Sequence, residues 1–549
     1  LSGGVWQEAV MRRHDQPSVV RQAIARGRVA AAITIATLAS VGRPLSATAD
    51  PAKARPTTSL AGLDDAFATA ARGLSQRARA GGDDDLAAVI AEWSLPEQVG
   101  RQLVATIPPR LEKPPLVDTP AEESIWNDFC AARRSRAAGL FEHALAAARA
   151  HDRMPTRDEL ANAVDGDAPP LPQQSCEAVR LLFLALRDDP DHERARAAGG
   201  FVKRGDDWLR PEAARRLDKG EAYAPAFGWM PKAKLERYRR GERLDRGRWI
   251  TTAADDAEPR DLKHPREFHS DHWEIVSTAR LADAAALAGC LEETHAVWQQ
   301  IFGAFAFEPQ DLEKRLAGRG RTAPRTPHAA ILCADRGQYV KELEPLEPLI
   351  GKTDGIYWTP TKTIWCYARP SAAGTDDGDD PTRPEATRFD PITVHHEATH
   401  QLFGEARPDV AKARQLAGER CGFWAIEAAA CYMETLQPTP FGWTVGGRDA
   451  GRVPAAKERL DDGFFVPLEE LCGLGRKAFQ ADDRLPQIYS QIAGLADFFM
   501  NGAEGRYREP FVEYLVRVYS GTTDPDTLVR LCKRSFADLD ADYRRHLSR

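Results

Sequence analysis

The stretch Pro391–Gly404, PITVHHEATHQLFG, decides how the rest of the chain is read. It contains His396-Glu397-Ala398-Thr399-His400, an HExxH pattern. Asp390 suits an N-cap, Pro391 the first helical position and Gly404 a stop, so the spacing predicts a helix here. At about 100° per residue His396 and His400 project the same way one turn apart, with Glu397 about 60° round from His400. Val394, Ala398 and Leu402 form the opposite, apolar stripe. Two imidazoles so placed can hold one Zn²⁺, and the neighbouring carboxylate can take a proton from water. A helix with two satisfied histidines would look the same locally, so the rest of the chain has to decide between them.

A catalytic zinc site normally keeps three protein ligands and one open position. Phe423-Trp424-Ala425-Ile426-Glu427-Ala428-Ala429-Ala430-Cys431-Tyr432-Met433-Glu434 is an apolar, helix-prone run with Glu427 in its middle, 27 residues beyond His400. Burying an ionised carboxylate without a partner is costly, and a metal would be that partner. Glu434, seven residues on, shares its face and stays open as a rival ligand or as acceptor for a histidine N–H. Tyr489, opening YSQIAGLADFFM, is a candidate oxyanion donor, with Tyr432 as competitor. His395 projects about 100° away from His396 and reads as structural.

HEATHQLF followed by FWAIEAAACYME resembles the gluzincin arrangement of the peptidase MA clan, HExxH plus a distant Glu. It is most similar to a family of exported bacterial proteins of unknown function with HEatHql and a downstream W-x-x-E-G-x-A-x-Y. The likeness extends over HWEIVS, Asp335-Arg336, GIYWTPTKTIWCYA and YSQIAGLADFFM, about half the chain from Ser270 on. Carried across, it implies a zincin-like catalytic domain with His396, His400 and Glu427 as zinc ligands and Glu397 as general base. Two departures stand out: Ala428 replaces the usual Gly after the third-ligand Glu, and Cys431 replaces an acid four residues beyond it.

Working outward, 549 residues exceed one domain's worth. Arg21, Arg26 and Arg28 precede the apolar run Val29–Val41, and Ala47-Thr48-Ala49 is a small-residue cleavage pattern. Residues 1–49 therefore read as a leader with a signal peptide starting at Met11, and the protein as exported (periplasmic, cell-surface or extracellular). Removing that leader takes the formal net charge from −7 to −11. This argues against nucleic acid and anionic lipid as partners; a peptide or protein substrate is what the resemblance implies. No stable membrane span is expected after cleavage. Nine cysteines, an odd number without CxxC, include at least one that no intramolecular disulfide can pair.

Residues 50–265 read as mainly helical, a region open to a protein partner, and 266–549 as the metallopeptidase domain. Trp208 and Trp249, 41 residues apart with Trp229 between them, suggest two copies of a small hairpin-plus-helix element or unrelated core tryptophans. Residues 252–268 read as a polar linker. Strands are expected at Trp273–Ser277, Ala329–Cys333, Gly355–Trp358 and Thr363–Tyr367, with a helix over Ala279–Phe302. The hairpin formed by the last two strands is a candidate edge for a peptide to extend. The aspartates of Asp376–Asp380 lack the spacing of a calcium loop. The expected fold is α+β: a small sheet, the HExxH helix, the Glu-bearing helix and a helical C-terminal part. The alternative function is a non-catalytic binding or scaffold protein with a degenerate zincin domain. Retention of Glu397 opposes it, since a structural site needs no base there.

Overall fold

The structure is a computed structural model. It describes residue 56 and residues 58–548 other than 94–99, 109, 111–112, 115–116, 150–174, 308, 321–325, 370–387, 408–409, 411–415 and 440–441. The leader and the Asp376–Asp380 segment lie outside the described residues. Helix Leu60–Ala80 is capped by Ser59, whose hydroxyl accepts from Gly62 N at 3.1 Å. It buries Phe67, Ala71, Leu74 and Ala78, the helical period that predicts a single apolar stripe. These pack with Leu86 and Ile90 of helix Asp84–Glu92 and with the first half of the 30-residue helix Pro120–Arg149, through Ile125, Trp126, Phe129 and Cys130. The second half of that helix belongs to another, much larger core. Ala137, Leu140, Phe141, Ala144 and Leu145 join helix Ser175–Asp188 and the C-terminal half of the chain there. Strand β1 (Gln102–Ala105) likewise pairs far along the chain, with Gly442–Val445. Packing thus runs across the boundary expected at residue 265.

Between these helices and the sheet lie three copies of one hairpin–helix unit, where the sequence suggested at most two. They are β2 (Val202–Arg204), β3 (Asp207–Leu209) and helix Pro211–Asp218; β4 (Glu221–Ala224), β5 (Gly228–Pro231) and helix Lys232–Arg239; β6 (Glu242–Asp245), β7 (Arg248–Thr251) and helix Thr252–Ala257. Trp208, Trp229 and Trp249 hold the same place, in the second strand and three residues before the helix. Each unit follows a left-handed glycine, Gly200, Gly220 or Gly241, with φ of 90°, 78° and 84°. The inward helix position holds Ala214, Leu235 and Asp255 in turn, all buried. Asp255 gathers Arg260 and Arg266 around it. The stretch expected to be a linker is therefore ordered, as a helix and then as strand β8 (Arg266–His269).

The main sheet continues with β9 (Trp273–Ser277), β10 (His328–Cys333), β11 (Gly355–Trp358) and β12 (Thr363–Tyr367), in the order β11-β12-β10-β9-β8. The three inner strands are parallel and the two edges antiparallel. Alternation sorts the side chains onto two faces. Ile331, Cys333, Trp365 and Tyr367 face Tyr339 and Leu343 of helix Arg336–Leu343. Ala330, Leu332, Ile364 and Cys366 face the large core, where helix Pro391–Ala406 contributes Val394, Ala398 and Leu402. A short hairpin, β13 (Gln437–Thr439) and β14 (Gly442–Val445), and the helices Leu485–Asn501, Arg508–Ser520 and Phe536–Ser548 complete the described chain. The architecture is α+β with small sheets. All nine cysteines are free thiols, and none of the described helices is long and apolar enough to cross a membrane.

Candidate metal centre

Helix Pro391–Ala406 starts as its sequence dictates, with Pro391 at the first turn and Asp390 accepting from Thr393 Oγ1 at 2.7 Å. Gln401, fully buried, fixes it to the sheet. Its amide nitrogen donates to Ala329 O and Lys362 O, both at 3.1 Å, and its carbonyl accepts from Trp273 Nε1 at 2.9 Å. His395 turns the other way and meets Thr294 Oγ1 at 2.7 Å, its pKa pushed down to about 4 by burial. The motif is thereby locked with His396, Glu397 and His400 on one side.

Helix Phe423–Met433, buried along its whole length, crosses this side and delivers Glu427. His396 Nε2 and His400 Nε2 lie 3.1 Å apart, and Glu427 oxygens lie 3.5 Å from the first and 3.8 Å from the second. Tetrahedral zinc with bonds of about 2.0–2.2 Å needs donors about 3.3–3.5 Å apart, so these separations bracket the requirement. The charge states of His400 and Glu427 suit a dication. Burial, reinforced by the neighbouring His396 charge and resisted by Glu427, brings His400 down to about 4. Burial raises Glu427, but the two histidines and the Tyr489 hydroxyl outweigh it and bring the carboxyl to about 2. Burial also works against the charged form of His396, yet Cys431, Glu427 and Glu434 around it hold its pKa well above the ordinary value.

Glu434 accepts from His396 Nδ1 at 2.8 Å and receives Arg452 through Nε at 2.8 Å and Nη2 at 3.1 Å. With Nδ1 held by Glu434, Nε2 of His396 faces Glu427 and His400, and an ion bound there would displace the proton that Nε2 carries in its absence. A second donor set, His396, Cys431 and Glu434, shares this histidine. It is the poorer one, because burial pushes the Cys431 thiol up to about 11 and Glu434 is already held by Arg452. A third set, His272, Glu292 and His295, lies where the start of β9 meets helix Leu281–Ile301. Its two imidazole rings stack at 3.8 Å and 26°, so their in-plane lone pairs do not converge on one ion.

Glu397 is held from the sheet side. Its Oε2 accepts from Tyr357 N of the edge strand β11 at 2.6 Å, and burial raises its pKa. The close approach needs Gly355, where a Cβ would come within 2.7 Å of Thr393 Cγ2 and 3.5 Å of Glu397 Cγ. The hairpin therefore stands beside the motif, but its free edge is the Gly355–Trp358 arm; Thr363–Tyr367 is paired on both sides. Tyr489 donates to Glu427 Oε2 at 3.0 Å. Tyr432 is not at the centre: 1% exposed, it hydrogen-bonds Asn501 Oδ1 at 3.1 Å and Gln102 Nε2 at 2.8 Å. Sequence reasoning missed Arg452, whose only signal was a basic residue soon after the Glu434 helix, and the Tyr357 amide, which has no side-chain signal at all. No family model matches the chain, and no curated protein or solved structure matches it.

Proposed function

We propose that the protein is an exported, zinc-dependent metallopeptidase of gluzincin type. The observation that carries this reading is the meeting of both HExxH histidines with Glu427, while Glu397 is held separately against a sheet edge. His396, His400 and Glu427 would hold the ion, which when bound supplies Lewis acidity toward a carbonyl and lowers the pKa of water. Glu397, buried and raised in pKa, is suited to accept a proton from water and return it to a leaving amine. Its bond to Tyr357 N fixes which oxygen is left for that exchange. Tyr489, whose pKa burial and Glu427 push far up, stays an O–H donor at neutral pH beside the site. In an antiparallel pair the C=O of Tyr357 points the same way as its N–H, so β11 offers a peptide an acceptor next to the motif.

The test is metal analysis of the purified protein, wild type and Glu397→Gln, with a peptide-library cleavage assay. One zinc per chain in both and cleavage only by the wild type is expected. Zinc in both with cleavage by neither would favour the scaffold reading, and absence of zinc from the wild type would overturn both.

A further inference from the structure

The second and third hairpin–helix units border strand β8. They enclose a cavity of about 400 Å³, within the about 300–1,000 Å³ typical of small-molecule sites. Its wall is unusual in its polar balance. Arg260 and Arg266 on the lining are neutralised by Asp245 and Asp255, and Arg216 by Glu221. Lys234, Arg243 and Arg246 also line it and form no ion pair among the described residues. With Glu267 also on the wall, six cations face four carboxylates, an excess of two positive charges in a chain whose formal net charge is −7.

The wall has two further features. Of the thirteen buried side-chain polar atoms without a hydrogen-bond partner among the described residues, three belong to this wall: Arg243 Nε, Arg260 Nε and His269 Nδ1. Arg243 is also preset: its Nη1 donates to Tyr238 O at 3.0 Å and Glu242 O at 2.9 Å, and its guanidinium carbon lies 5.0 Å from the Phe227 ring and 5.1 Å from that of Tyr238. Arg246 sits in the left-handed region with φ 45°, a conformation that favours glycine and costs an arginine about 1 kcal/mol or more. Arg246 and Gly247, with φ of 45° and 82°, are the two turn residues between β6 and β7, so the hairpin sets this backbone and leaves the Arg246 side chain exposed on the lining.

We infer that this cavity binds the oxyanion of a small organic molecule, a carboxylate, phosphate or sulfate, with Arg243, Arg246 and Lys234 taking the charge and Trp229 and Tyr238 flanking its body. Guanidinium forks match planar carboxylates and tetrahedral oxyanions equally well, so the charge pattern fixes the class and not the member. The cavity adjoins β8, the opposite sheet edge from β11 and about 19 Å from it at ordinary strand spacing. It is therefore separate from the metal centre and does not depend on the function proposed for it.

Calorimetric titration of the full chain with inorganic phosphate, inorganic sulfate and citrate tests this, at ionic strength held constant with sodium chloride. Saturable binding of at least one probe is expected, weakened tenfold or more in Arg246→Gly and in Arg243→Met, and unchanged in Glu397→Gln. Tightest binding of citrate assigns a carboxylate ligand; tightest binding of phosphate or sulfate assigns a tetrahedral one. Because glycine suits the backbone at 246, Arg246→Gly should melt no lower than the wild type, which separates lost binding from lost folding. No saturable binding up to about 10 mM, or equal affinity in the variants, would overturn the assignment.

Discussion

Glu434→Gln separates orientation of a ligand from ligation itself. The carboxylate of Glu434 makes three contacts, one to His396 Nδ1 at 2.8 Å and two to Arg452 at 2.8 and 3.1 Å. The amide keeps the shape and loses the charge. A hydrogen bond to a charged group contributes about 1.5–3 kcal/mol. The Arg452 side chain is 47% exposed and can turn to water, so most of the loss falls on the buried His396 contact. That corresponds to a decrease in zinc affinity of about 10–100-fold, the range found when such orienting partners are removed. Chelator-competition titration of the purified chain measures it without any substrate. Arg452→Gln leaves the carboxylate in place and should cost less than Glu434→Gln. The reasoning fails if Glu434→Gln binds zinc within twofold of the wild type, or if Arg452→Gln is equally damaging.

Tyr489→Phe keeps the ring beside Phe479 and removes the donor to Glu427; kcat should fall about 10²–10³-fold with KM little changed, and an equal loss in KM would assign the hydroxyl to binding instead. Glu509 accepts from Cys176 N and Glu177 N at the start of helix Ser175–Asp188, and burial pushes its pKa up to about 7. A carboxyl raised in the folded state favours the protonated fold, so its contribution is present below about pH 4.5 and is lost as pH rises through about 7, about 3 kcal/mol in all. Glu509→Gln should remove that slope and unfold at higher urea than the wild type at pH 8; an unchanged slope between pH 5 and 7 would show that another group sets it.

What the sequence made legible was whatever has a period or a fixed spacing. His396, His400 and Glu427 meet because two helices with clear apolar faces carry them, and the strands of the sheet read from their alternation or from a continuous apolar run. Glu434 stayed open because two carboxylates seven residues apart share a face, and only Arg452, 18 residues further on, shows which one is already engaged. The middle hairpin–helix unit, around Trp229, was missed because the three helices span only eight, eight and six residues, too few to show a period, and the inward position changes from Ala214 to Leu235 to Asp255. Strand β8 read as linker for the same reason, since its buried Arg266 is compensated by that aspartate rather than by apolar neighbours. The Tyr357 amide on Glu397 is a backbone contact across 40 residues, which no side-chain pattern announces.

The helix Pro120–Arg149 carries a consequence for how the protein comes apart. Its two halves sit in different cores, and between them lies a polar seam. Arg136 and Asp188 pair there at 2.8 Å, Trp93 Nε1 donates to Asp188 at 3.1 Å, and Arg133 lies 3.5 Å over the Trp93 ring. Water can substitute for such contacts more easily than for apolar ones, so the seam is a natural stopping point for fraying. The small N-terminal core can then open as one unit while the second half of the same helix stays clamped beneath the C-terminal half of the chain. A single uninterrupted helix would thus show two levels of amide protection, with the step near Arg133–Arg136.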